Sequence, residues 1–274
     1  MKAQIATLLE GFNGFLVTLV RRRSLILEMA KREIATQYTG SLLGFFWTFI
    51  NPLIMIFILW LVFGLGFRTV PKGNVPYVIW LTAGMSMWNT FQEVVLGTTG
   101  VIVGNAHLVK KMRFPLSILP VVKLVGSTIT HGVFLLVLVG LILLYRLPFS
   151  LYWFQVLYYF FAMSVLALGI GWIVSSVNVF IRDMNQIVRI MLQIGFWVTP
   201  IFWDLSIMSE KLQWILRLNP VFYVINGYRD SFIYYVPFWL HWRMTIYFWG
   251  LTGIIFVLGA FIFLRLRPHF ADVV

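Results

Sequence analysis

The chain has 274 residues, of which 61% are hydrophobic and only 11% charged, with mean hydropathy +0.90 and formal net charge +12. Soluble domains carry roughly a quarter charged residues, so this composition excludes a water-soluble fold, and the length leaves no room for a soluble catalytic domain beside membrane helices. Zero cysteines exclude disulfides, thiolate metal sites and thiol catalysis.

In chain order, residues 11–20 form a short, glycine-broken apolar run followed by Arg21, Arg22 and Arg23, with no small-residue cleavage pattern ahead of them. This is not a cleavable signal. Residues 21–38 read as an amphipathic interface helix. Ile26, Leu27, Met29, Ala30 and Ile34 share one face, with Ser24, Glu28, Lys31 and Arg32 opposite.

Six apolar stretches follow, at 42–67, 77–103, 115–145, 151–177, 187–203 and 244–264. About 20 apolar residues cross a hydrocarbon core, so most qualify as spans and the fifth is marginal. Asn51-Pro52 lies inside the first, where proline removes a backbone donor and predicts a kink. Pro71, Gly73, Asn74 and Pro76 make a short turn after it. The loop 105–115, ended by Pro115, is too polar for lipid and too short for a domain, which predicts a short helix along one membrane face.

Residues 204–243 are rich in Trp, Tyr and Phe, and Asn219-Pro220 divides them into two pieces too short to cross a bilayer. They read as two re-entrant half-helices among the headgroups. The predicted fold is an all-α membrane protein of one domain, 1–274. It comprises a cytoplasmic interface region (1–41), spans one to five (42–203), an outer re-entrant region (204–243), and span six with a cytoplasmic tail (244–274).

Lys and Arg concentrate in alternate loops: Lys2, Arg21–23, Lys31, Arg32, Lys110, Lys111, Arg113, Arg182, Arg189, Arg265 and Arg267 fall on one side. The short loops opposite hold only Arg68, Lys72 and Arg146. This asymmetry places both termini in the cytoplasm and accounts for the net charge without nucleic acid.

No phosphate loop, dinucleotide fingerprint, H-E-x-x-H or acid–His cluster occurs, so the chain binds no nucleotide, metal or other cofactor by a recognisable motif. Glu93, Lys123 and His131 are the ionisable groups inside spans, where a charge faces a cavity or a partner. The structural reading has Lys123 snorkelling to the interface and Glu93 paired or neutral; the functional one makes them proton relays. The glycines of Gly100-x-x-x-Gly104 and the trio Ala167, Gly169, Gly171 read as close-packing positions.

Several segments resemble one family. They are Ala30-Lys31-Arg32-Glu33-Ile34 with Tyr38, Gly44, Trp47 and Asn51-Pro52-Leu53; Asn105-x-x-Leu108-Val109-x-Lys111-x-x-Phe114-Pro115; and Arg182-Asp183, Thr199-Pro200-Ile201, Asn219-Pro220 and Tyr228-Arg229-Asp230. In the same order, these are similar to segments of ABC-2 type permease subunits of polysaccharide exporters. Phe63-Gly64-Leu65-Gly66, Val75-Pro76-Tyr77 and Lys111-Met112-Arg113-Phe114-Pro115-Leu116-Ser117 look most like wall teichoic acid exporters, while O-antigen and capsule permeases share the pattern. Gln37 stands where the family often has Arg.

The resemblance implies a homodimer in the bacterial plasma membrane, working with two copies of a separate ATPase that binds ATP and Mg. The cargo is an undecaprenyl-diphosphate-linked polymer. On this reading Asn105, His107, Leu108, Lys110, Lys111 and Arg113 couple to the ATPase. Arg23, Lys31, Arg32 and Tyr38 receive the headgroup. Phe45, Phe46, Trp47, Phe49, Trp88, Phe196 and Trp197 line the channel, and Tyr223, Tyr228 and Arg229 gate its outer end; each aromatic has the plainer alternative of facing lipid or packing helices. An ion-coupled secondary transporter would need paired intramembrane acids and related halves. A membrane transferase would need clustered carboxylates, histidines or metal ligands. Neither pattern is present in the sequence.

Overall fold

The computed structural model describes residues 14, 15, 17–37, 43–71, 73, 75–110 and 114–273. Tyr38, Lys111 and Arg113 lie outside the described residues, as does the side chain of Phe45. Every regular element among the described residues is helical.

Helix α1 (Arg23–Gln37) precedes α2 (Trp47–Leu59), which continues as a π-helix over Trp60–Gly66. Pro52 sits within α2 and lacks the N–H that would bond the Thr48 carbonyl. Next come α3 (Tyr77–Thr99) and the short turns α4 (Val101–Gly104) and α5 (Ala106–Val109). The long helices α6 (Leu119–Leu144) and α7 (Gln155–Phe180) follow, then α8 (Met184–Val198). Two short helices, α9 (Glu210–Arg217) and α10 (Pro220–Arg229), lead to α11 (Trp242–Leu266) and α12 (Phe270–Val273).

Among the described residues, four helical stretches are long and apolar enough to cross a membrane: Trp47–Gly66, Leu116–Leu144, Leu151–Phe180 and Phe238–Val273. Helix α3, with 23 residues, is long enough as well but carries more polar side chains. It is the central helix, buried continuously from Ile79 to Trp88 against α6, α7, α8 and α10. Its hydroxyls return to its own backbone: Thr82 donates to the Val78 carbonyl and Thr90 to that of Ser86, both at 2.7 Å. A buried helix thereby keeps polar residues without leaving donors unpaired. Helix α8 spans only 15 residues before Thr199-Pro200 ends it, so the fifth apolar run is shorter as a helix than as a sequence.

The trio at 167–171 packs as its composition predicts. A Cβ on Gly259 of α11 would overlap the Gly169 carbonyl, and one on Gly171 would lie 2.9 Å from the Thr98 hydroxyl. Gly104 differs: nothing lies within 4 Å of its missing Cβ, so it makes no close helix crossing. On α1, Ile26 and Ala30 are buried against Ile118, Val121 and Val122, while Leu27 is 50% exposed. The inner part of its apolar face therefore meets protein. Large exposed apolar side chains, among them Phe57, Leu136, Leu144, Leu157 and Ile246, surround the bundle where a soluble protein would carry charge.

Candidate functional site

The chemistry-bearing residues gather at the two ends of the bundle. At the end holding α9 and α10, Asn219 caps α10 by accepting from Val221 N–H at 3.0 Å, with Pro220 in the first turn. Helix α10 then runs into the core, and the three residues expected to gate this end are all buried.

Arg229 donates to the carbonyls of Pro200 (2.9 Å) and Ile201 (2.7 Å) and lies over the Trp80 ring, 3.4 Å from its centroid. It satisfies the backbone where α8 ends, which α8 cannot do for itself past a proline. Gly84 makes room, since a Cβ there would sit 2.8 Å from the guanidinium. Tyr223 shares its hydroxyl with Tyr158 and Thr245, both at 2.9 Å. Tyr228 reaches Nε2 of buried His131 at 2.9 Å, and His131 Nδ1 lies 3.0 Å from the Thr90 hydroxyl.

Thr90 spends its one hydrogen on the Ser86 carbonyl, so Nδ1–H donates to Thr90, while Nε2 shares a hydrogen bond with the Tyr228 hydroxyl. The His131 ring thus links α3, α6 and α10 through side-chain hydrogen bonds. Asp230, also buried, accepts from Asn226 (2.9 Å) and faces His241 at 3.3 Å. Sequence reasoning missed this pair and the role of Trp80. The dipeptide Arg229-Asp230 was the available signal.

At the opposite end, Asn105 donates from its amide to the Val101 carbonyl at 2.8 Å, closing the turn between α4 and α5. His107 and Lys110 are exposed, and Leu108 packs partly against Val109, Leu119 and their neighbours. Arg23, Lys31 and Arg32 are exposed on α1, with Lys31 paired to Glu28 at 3.0 Å. A cavity of about 460 Å³ is lined by Arg32, Glu33, Asn105, His107, Leu108 and Lys123. It brings Arg32, expected to receive a headgroup, beside three residues expected to couple to an ATPase. Lys123 forms an ion pair with Glu33, tying α6 to the interface helix. Its partner is thus a carboxylate of this chain, and the sequence alone did not single out Glu33 in that role.

The described aromatics expected along a channel differ in exposure. Phe46 and Trp47 are exposed, Phe49 is half-buried, and Trp197 is 56% exposed against Phe196 and Phe202. Trp88 is buried within the helical bundle. It packs on Phe91, Phe196 and Gly195, and its Nε1 donates to Gln92 at 2.9 Å.

Comparison with known proteins fits this architecture. The sequence profile described as ABC-2 type transporter matches residues 24–233. The chain is 26% identical over 251 residues to the O-antigen export system permease protein RfbA of Klebsiella pneumoniae, covering 91% of this chain and 94% of that one. The RfbA of Myxococcus xanthus is 30% identical over 221 residues, 78% and 82% of the two chains. The capsule polysaccharide export inner-membrane protein CtrC of Neisseria meningitidis serogroup B is 26% identical over 223 residues, 80% and 83% respectively. With a matching profile over most of its length and relatives aligned nearly end to end, this helical multi-pass membrane protein belongs to the ABC-2 type transporter family.

Proposed function

We propose that the chain is the permease subunit of an ATP-driven polysaccharide exporter in the bacterial plasma membrane, moving an undecaprenyl-diphosphate-linked polymer outward. Relatives named for O-antigen and capsule export support the polysaccharide class. The 63–66, 75–77 and 111–117 segments favour wall teichoic acid as the polymer, with O-antigen or capsule as the second reading. The subunit works as a homodimer with two ATPase subunits, which hold ATP and Mg.

In this reading the six apolar runs are six spans, α9 and α10 dip into the outer leaflet, and both termini face the cytoplasm. The observation that carries the proposal is the cavity shared by Arg32 of the interface helix and Asn105, His107 and Leu108 of the short inner helices. A push on α4–α5 by closing ATPases reaches α1 across this cavity and moves packed helices as bodies. Exposed bases there attract a diphosphate headgroup, and the pull weakens with salt.

Replacing Lys110 and Lys111 by Glu tests the coupling. The assembled complex should keep its subunits but lose most of the ATPase stimulation that accompanies transport, measured in vesicles. Unchanged coupling removes the inner loop from the mechanism. For the polymer itself, cells lacking the chain should accumulate a lipid-linked glycan inside, and its sugar and phosphate content identifies the cargo.

A further inference from the structure

Two cavities, about 460 and 250 Å³, meet along α3 and share Thr48, Glu93, Leu96 and Thr130. Together they form one cleft between α1, α2, α3 and α6, within a single protomer. For a membrane segment its wall is unusually polar, adding Asn51, Asn89 and Gln92 to Glu93 and Thr130. Trp47, 38% exposed, forms part of the same wall.

Among the described residues, Glu93 meets only the Thr130 hydroxyl, at a long 3.4 Å. A carboxylate offers about four lone-pair sites, so most of its accepting capacity points into the cleft. Acyl chains cannot fill that need, and a bare carboxylate against lipid is costly. Asn89 gives its amide N–H to Met85 and keeps its carbonyl oxygen, whereas Gln92 accepts from Trp88 and keeps its NH₂ group. The cleft therefore presents acceptors, donors and one indole ring side by side.

Charge chooses between a phosphate and a neutral polyol. Lys123, whose stem lies across Gly97 of α3, is already paired with Glu33. Among the described residues that line the cleft, no cation is left unpaired to hold a phosphate, whereas the amides, hydroxyls and carboxyl group suit a hydroxyl-rich ligand.

We propose that Trp47, Asn51, Asn89, Gln92, Glu93 and Thr130 form a saccharide-binding subsite inside the protomer, with the indole under a sugar ring and Glu93 accepting from its hydroxyls. It rests on the export reading and adds to it a place where the glycan, separate from its headgroup, is held.

The absence of cysteine allows a direct test. Gly126 of α6 lines the cleft with nothing within 4 Å of its missing Cβ, so Gly126→Cys places a thiol there without a clash. Leu136→Cys, on the same helix, exposed and outside the cleft, is the control. In the assembled complex in vesicles, a membrane-impermeant charged methanethiosulfonate should label the first and not the second. An undecaprenyl-diphosphate-linked oligosaccharide should slow that labelling at least about fivefold, about 1 kcal/mol of occupancy, while undecaprenyl diphosphate alone leaves it unchanged. Glu93→Gln, in a complex that elutes as the parent does, should abolish the protection. An inert Gly126→Cys, equal protection by the sugar-free lipid, or protection intact in Glu93→Gln each overturns the subsite. ATP-driven export by the unmodified complex, followed in the same vesicles, tests the permease reading separately.

Discussion

The two ends of this bundle solve the same problem in opposite ways. Around α10, polar groups are buried and closed on one another: Arg229 on two carbonyls, Tyr228 on His131, Tyr223 on Tyr158 and Thr245. Around α1, α4 and α5 they face cavities, with exposed bases and a carboxylate, Glu93, that meets a single distant hydroxyl. A satisfied network in a low-dielectric interior holds one arrangement, because each group that leaves loses its partner with no water to replace it. Where a cavity admits water, a polar group that moves can exchange one partner for another, so the penalty is smaller. The first region is closed on itself, and the second is open to cavities.

The sharpest way to break the contrast is at Gly227, where an added Cβ would overlap the Tyr159 ring. Gly227→Ala should cost about 3 kcal/mol, enough to lower the melting temperature of the purified complex markedly or its yield in membranes. Gly104→Ala, a change at the loose end with open space around it, should leave both unchanged.

Arg229 comes next. Removing it strands the Pro200 and Ile201 carbonyls, so Arg229→Ala should destabilise by about 2–3 kcal/mol in thermal unfolding. Arg229→Lys should recover only part of this, because an ammonium cannot serve both carbonyls and stack on Trp80 in one plane. Equal stability of the Arg and Ala proteins would mean that this end is not clamped.

The smallest effect is expected at the Glu33–Lys123 pair, whose side chains are about a third exposed (31% and 27%). Glu33→Lys should change stability by no more than about 1 kcal/mol. It should nevertheless loosen α1, read as faster deuterium exchange across residues 23–37. Combining it with Lys123→Glu should restore the slower exchange; failure of that rescue would show that the pair does not hold the interface helix.

Much of the scaffold was legible because lipid imposes length and period. The apolar runs became helices near their expected places, Asn219-Pro220 became a cap, and Ile26 and Ala30 turned inward on α1 as the helical period required. The functional detail was less legible. Trp88 has the composition of a channel residue, yet Gly195 and Phe196 of a helix about 100 positions later cover it. Tyr228 and Arg229 carry a motif, but the sequence is silent on whether their polar atoms face outward or inward.

The sequence by itself determined that this is a helical membrane protein and that it carries no recognisable motif for binding nucleotide. Those properties depend on local composition and on spacing along a helix. Only the tertiary structure decided which polar groups are paired and which are left facing space. Arg229 finds its acceptors 28 and 29 residues away, and Lys123 finds Glu33 90 residues away. Such pairings are set by how the helices pack, and no local pattern encodes them.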